Sequence, residues 1–267
     1  MYITSLKHLG RDTTMKMEKK GLESGSGEKL GSLMFGDSLK DSEGMRVGRD
    51  FFNRFAEGCF RNLAKYHTAM DGLEHLFAYS ERQSPSYVMP ALFELTDGCA
   101  ICEMPLTRTK LGPNSENNKK RGRGFLDYWA WYRGVPFAIE VKHSWYSLNG
   151  EGMEKTCERW KEADQQLKNV RKWWISEGSD FFMRLNLLVL VFWSKGDWSQ
   201  ADGGKGTSFS PTTPHKEDFD YHGYIIDYLD PEPNLWSYWL LPSNMIQIDD
   251  YYYPAVGMFG RLNRLKR

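Results

Sequence analysis

A chain of 267 residues that is 40% hydrophobic and 15% aromatic holds enough apolar material for one large domain, which excludes a chain disordered overall. Thirty-five Lys plus Arg balance thirty-five Asp plus Glu, so the formal net charge is zero and no global polycation attracts a polyanion. No apolar run spans a bilayer, Met1 to Lys20 lacks a secretory apolar segment, and four irregularly spaced cysteines make no disulfide framework; a cytoplasmic protein without a membrane partner is expected.

Residues 1–45 read as a weakly ordered N-terminal arm, because Gly21 to Gly31 is rich in Gly, Ser and charge and apolar residues lack periodicity. Residues 46–267 are expected to form a single α/β domain, with a core over about 80–194 and a β-rich extension over about 217–267. From Arg46 to Ala64, the residues Phe51, Phe52, Phe55, Cys59 and Leu63 form a helical apolar stripe. Ser80 to Ser86 leads into a helix-like run through Leu92 and Leu95, and Cys99 to Leu106 has the look of a strand. On that strand Cys99 and Cys102 point to opposite faces, and no second ligand pair accompanies them, so neither zinc nor redox use is expected. A Gly/Asn/Ser-rich connection from Gly112 ends in Lys119-Lys120-Arg121-Gly122-Arg123, which reads as a phosphate-holding loop or as a solubilising one.

Two β-rich runs follow, Gly124 to Tyr132 and Phe137 to His143, around the connection Arg133-Gly134-Val135-Pro136. Side chains alternate along a strand, so Glu140 and Lys142 project on one side. Pairing Tyr132 with Phe137 sets Asp127 opposite Lys142 and Trp129 opposite Glu140, so two acids and a lysine share a face. Two neighbouring carboxylates repel unless a cation lies between them, and Mg²⁺ takes a few carboxylate oxygens, waters and phosphate oxygens. A lysine beside them can orient a water, and acts as a base only if its pKa is strongly lowered. The ordinary alternative is an exposed Glu-Lys edge, but Glu140 and Lys142 interrupt the apolar residues Phe137, Ala138, Ile139 and Val141, where charge is costly without a partner. His143 faces the other layer.

Beyond the hairpin, Met153, Cys157, Trp160, Asp164, Leu167, Val170 and Trp174 recur at helical spacing. Leu185 to Trp193 is a nearly continuous apolar run suited to a strand buried on both faces. Ser194 to Lys216 reads as a lid or insertion, and its Gly203-Gly204-Lys205-Gly206-Thr207 lacks Walker spacing. Ile225 and Ile226 fit a strand, Trp236 to Leu241 another, and Arg261, Arg264, Lys266 and Arg267 a basic tail.

On Asp127 and Glu140-Val141-Lys142 the chain resembles the PD-(D/E)xK nuclease superfamily, the fold of many restriction enzymes, recombination nucleases and resolvases. The resemblance covers roughly residues 80 to 194; no Pro precedes Asp127, a departure at a variable position. It implies a restriction-endonuclease-like α/β core, a central mixed sheet flanked by helices, with the Asp on the second core strand and Glu-x-Lys on the third. It implies a Mg²⁺-dependent nuclease (Mn²⁺ substituting) acting on DNA in restriction, phage defence or recombination, with a homodimer compatible. Asp127, Glu140 and the Val141 main chain are the implied metal ligands, and Lys142 the water-orienting group. Members carry a further acid on the first helix, which points to Glu81 with Glu94 as fallback, and Glu103 and Gln166 match accessory positions. For Gln166 the solvated face of an amphipathic helix is an equal reading. A non-catalytic nucleic-acid-binding or assembly protein keeping the fold is the alternative, its Asp, Glu and Lys forming a buried ion-pair network.

Overall fold

The computed structural model describes residues 2–4, 15–23, 27, 29–40, 42, 44–70, 74–110, 120–148, 151–168, 170, 181–195, 221–242, 247–248 and 251–266. In chain order these hold β1 (Tyr2–Thr4), β2 (Met15–Glu23), β3 (Lys29–Asp37), α1 (Met45–Ala69), two 3₁₀ turns (Leu76–Ala78 and Glu81–Gln83) and α2 (Pro85–Leu95). There follow β4 (Ala100–Lys110), β5 (Lys120–Tyr132), β6 (Val135–Ser147), α3 (Met153–Lys168), β7 (Phe181–Lys195), α4 (Tyr221–Ile226), β8 (Leu235–Leu240), β9 (Gln247–Ile248) and β10 (Tyr251–Lys266).

The strands form one mixed sheet in the order β1-β2-β3-β8-β10-β7-β6-β5-β4, with β9 beside β10. β6 and β7 are parallel, Phe137 beside Met183 through Ser147 beside Trp193. A parallel pair needs a crossover connection, and α3 lies on that path. β6 and β7 are buried along almost their whole lengths, as strands covered on both faces are.

One face carries α1, whose Phe51, Phe52 and Phe55 join Phe137, Ile139, Val141, Leu185 and Leu187 in the largest apolar core. Phe51 stacks on Phe137 with ring centroids 3.9 Å apart. The predicted stripe holds, and α1 lies close on the sheet because position 48 is glycine: a Cβ there would meet Leu262 Cδ2 at 2.2 Å. The other face packs Trp160 of α3 and Ile225 of α4 on Leu188, Leu190, Phe192, Trp236 and Phe259, with a smaller cluster of Leu126, Ala138, Leu167, Val170 and Phe182. The architecture is α/β, helices on both faces of a mixed sheet.

Four expectations need correction. The weakly ordered arm over 1–45 contains β3, an interior strand between β2 and β8, with Leu30, Leu33 and Phe35 buried. Trp239 Nε1 donates to the Leu30 carbonyl at 2.7 Å, so its partners lie far along the chain. Ile225 and Ile226 belong to α4, where Tyr221 and Ile225 share a face at i, i+4 and both are buried. Arg261, Arg264 and Lys266 lie on β10, inside the sheet rather than on a tail; the Arg264 guanidinium sits 4.1 Å from the Phe181 ring centre and Arg261 donates to the Glu232 carbonyl. The basic run before Asp127 is strand, not loop: Lys120, Arg121 and Arg123 pair with Lys110, Thr109 and Thr107. Ser194 and Lys195 end β7, while Arg267, Lys119, Trp174 and residues 196–216, the rest of the expected lid or insertion with its Gly203–Thr207 run, lie outside the described residues.

Candidate active site

The β5–β6 turn sets the geometry. Arg133 and Gly134 both have positive φ, 48° and 76°, as a two-residue type I′ turn requires. Tyr132 therefore pairs with Val135, not with Phe137, and the ladder runs to Tyr128 beside Ile139. The expected pairing of Asp127 with Lys142 is corrected by two residues along the strand. Two residues is one full side-chain period, so the faces are unchanged.

β5 and β6 part where Asp127 would next meet Glu140. There the Asp127 side chain replaces main-chain pairing: its Oδ2 accepts from the Val141 backbone N–H at 2.8 Å. Alternation also breaks at this point, since Leu126 joins the same cluster as Trp129 and Ala138, whereas Tyr128 joins the opposite core. The N–H and C=O of one strand residue point to the same lateral side, so the Val141 carbonyl faces the gap that Asp127 occupies.

Glu140 and Lys142 share the α3 face and both are buried, 1% and 7% exposed. Lys142 Nζ lies 3.3 Å from Glu140 Oε1 and 3.4 Å from Glu81 Oε1. Glu81 in turn accepts from Arg159 Nη1 through Oε2 at 2.7 Å. Burial is the largest influence on the Lys142 ammonium and works to lower its pKa, but Glu140, Asp127 and Glu81 together outweigh it and raise it. Lys142 is thus held as a cation that donates and orients; the low-pKa condition for a base is not met.

Several contacts place Glu81. Ser80 and Gln83 form a capping box around its 3₁₀ turn. The Ser84 hydroxyl lies 3.2 Å from the Tyr128 hydroxyl, tying the turn to β5. From the opposite face, His143 Nε2 donates to the Phe77 carbonyl at 3.0 Å, as its predicted direction requires. Burial first, with Arg159 adding to it, holds this imidazole down at about 4 against the favourable Phe77 bond, so it is neutral at pH 7. The fallback Glu94 lies elsewhere, beside Arg61.

α3 is fixed by the Ser144 and Thr156 hydroxyls, 2.8 Å apart, and by Asn186 Nδ2 donating to the Trp160 carbonyl at 3.3 Å. The β6–β7 register puts Asn186 beside Glu140. Arg159 is the site residue that sequence reading missed; it adjoins the core residue Trp160, so a charge beside an apolar stripe was the available signal. Gln166, two helical turns further along α3, makes no hydrogen bond to these residues, and its buried Oε1 has no partner among the described residues. Glu103 is exposed, with φ of 50°, between the pairs Cys102–Tyr128 and Met104–Leu126, which sets it across from Asp127 on β4.

The assembled groups are three carboxylates (Asp127, Glu140, Glu81) against two cations (Lys142, Arg159). Among the described residues no group of three or more His, Cys, Asp or Glu is close enough to cage a metal ion by itself. The side chains of Lys120, Arg121 and Arg123 are outside the described set; their strand leads directly to Asp127.

A cleft of about 810 Å³ lies elsewhere, lined by Lys20, Arg54, Arg61, Trp131 and Arg133. Its cations are engaged by Glu57 and Asp50. Among the described residues no helix is long and apolar enough to cross a membrane. No protein-family model, curated protein or solved structure matches the chain.

Proposed function

We propose that the protein is a Mg²⁺-dependent nuclease of the PD-(D/E)xK type, hydrolysing phosphodiester bonds in DNA. The observation that carries this reading is the parting of β5 from β6 at Asp127, with the Asp127 carboxylate keyed to Val141 and the Glu140–Lys142 pair beside it. The element order supports it: a helix, three antiparallel strands, a crossover helix and a parallel buried strand, with the acid on the second strand and Glu-x-Lys on the third.

Asp127, Glu140 and the Val141 carbonyl are the groups that would hold Mg²⁺, and all are hard oxygen donors of the kind it selects. The ion supplies Lewis-acid stabilisation of a phosphoryl group and acidifies water. Lys142, a cation in a nearly dry setting, donates to an attacking water and stabilises developing negative charge. Glu81 holds Lys142 and Arg159 at the mouth of the site, where a third-exposed Arg159 can meet a phosphate oxygen.

A second reading has one observation in its favour: the chain Glu140–Lys142–Glu81–Arg159 is already a connected ion-pair network. In that reading the fold is a binding or assembly module and the charges are structural. A digestion panel of linear, circular, branched and single-stranded substrates with Mg²⁺ or Mn²⁺, run beside Lys142→Ala, separates the two. Metal-dependent cleavage lost in the variant supports the nuclease; cleavage equal in both discards the site assignment, and none on any substrate supports the module.

A further inference from the structure

β5 pairs with β6 only from Tyr128 to Tyr132, yet it pairs with β4 out to Lys120. Outward from Asp127, β4 and β5 are therefore each other's only strand partners among the described residues, and the sheet narrows to a two-stranded ribbon. Its pairs from Pro105–Phe125 to Lys110–Lys120 extend roughly 17 Å at about 3.4 Å per residue.

Residues 106–110 and 120–124 of this ribbon include Arg108, Lys110, Lys120, Arg121 and Arg123 and no acid. In a chain of zero net charge that is a local concentration. Opposed residues share a face, so positions 107, 109, 121 and 123 lie on one face and 106, 108, 110, 120, 122 and 124 on the other. Both faces thus carry cationic positions, and neither offers the continuous apolar side that a strand packed on a core needs. Arg108 stands opposite Gly122 and Leu106 opposite Gly124.

We propose that this ribbon is an arm that enters the major groove of B-form duplex DNA and delivers the adjacent backbone to Asp127, Glu140 and Lys142. The proposal rests on the nuclease reading for its consequence and names the substrate class, a DNA duplex. The major groove of B-DNA, about 12 Å wide, admits a two-stranded ribbon, whereas that of A-form RNA is deep and too narrow. Five cations placed along phosphate walls supply affinity that falls with salt. The arm springs from the residue where β5 leaves β6, so groove binding and the carboxylates are mechanically linked through Asp127.

The test is fluorescence anisotropy of the full chain in EDTA against a short DNA duplex, the same-sequence RNA duplex and one DNA strand, across a salt series. Arg121→Ala/Arg123→Ala and Arg108→Ala/Lys110→Ala are compared with wild type, melting temperatures confirming folding. The expected result is tighter binding to the DNA duplex by about tenfold or more, a loss of similar size in each double variant, and a salt slope smaller by about 2 per double variant. Equal affinity for all three nucleic acids, or folded double variants that bind like wild type, overturns the arm. Cleavage of single strands without duplex binding overturns the arm and leaves the nuclease standing; arm-dependent duplex binding without cleavage in any divalent metal supports the arm and overturns the nuclease.

Discussion

Asp127 Oδ2 accepts the Val141 backbone N–H at 2.8 Å, and this bond stands where the β5–β6 main-chain ladder stops. It gives one carboxylate two duties: satisfying a strand N–H that has lost its ladder partner, and presenting charge beside Glu140. The duties can be separated. Asp127→Asn keeps an amide oxygen for Val141 and removes the charge, so stability changes by less than about 1 kcal/mol while metal-dependent cleavage falls by at least about a hundredfold. Asp127→Leu removes both and costs a further 1–3 kcal/mol, roughly the penalty of an unsatisfied buried donor. Urea denaturation with initial rates checks the pair; equal activity in wild type and Asp127→Asn would contradict the assignment.

Lys142 compensates Glu140 in a site where both are nearly dry. Lys142→Met leaves that carboxylate buried without its ammonium, and a loss of about 3 kcal/mol or more in EDTA is expected, as for other broken buried pairs. Glu140→Gln/Lys142→Met regains much of it, since an apolar and neutral pair no longer buries charge. A double-mutant cycle by chemical denaturation reads the coupling. The Lys142 shift is upward, so its contribution is complete below the ordinary lysine pKa and is lost only as pH rises through the higher folded value.

Arg159 is a third exposed and touches Glu81 at 2.7 Å, so Arg159→Ala changes stability by less than about 1 kcal/mol. Its place at the mouth predicts a larger effect on turnover, a drop of roughly tenfold to a hundredfold, with Arg159→Lys restoring part of it. Steady-state rates on one labelled duplex measure this. An unchanged rate would remove Arg159 from the site.

His143 is neutral in the fold, with its pKa held down at about 4 by burial. A lowered value means the unfolded chain binds the proton first as pH falls. Stability is full above about pH 6.5, the ordinary histidine value, and declines by up to a few kcal/mol toward pH 4. Melting curves in EDTA over that window are expected to be flatter for His143→Gln than for wild type. Parallel curves would contradict the burial argument.

How much of this was readable in advance follows from which signals are local. The α1 stripe of Phe51, Phe52 and Phe55 and the apolar run of β7 are period and composition, and both elements formed where expected. The common face of Glu140 and Lys142 follows from alternation alone and survived the corrected register. The register itself depended on the turn, and Arg133 at φ 48° gave no Asn-Gly-like signature. β3 was hidden because both of its faces are covered and its glycines pack under tryptophans; a Cβ at Gly36 would meet Trp236 Nε1 at 2.4 Å. Glu81 and Arg159 meet across 78 positions of sequence, a relationship no local pattern contains.

The central claim, a divalent cation held between positions 127 and 140, is tested most directly by thermal unfolding of wild type and Asp127→Asn/Glu140→Gln across a Mn²⁺ titration. Binding to the native state alone predicts a progressive gain in wild type, about 2.7 kcal/mol at a metal concentration a hundredfold above Kd, and no gain in the double variant. A wild-type midpoint that stays put under Mn²⁺, or moves equally in both proteins, would contradict it.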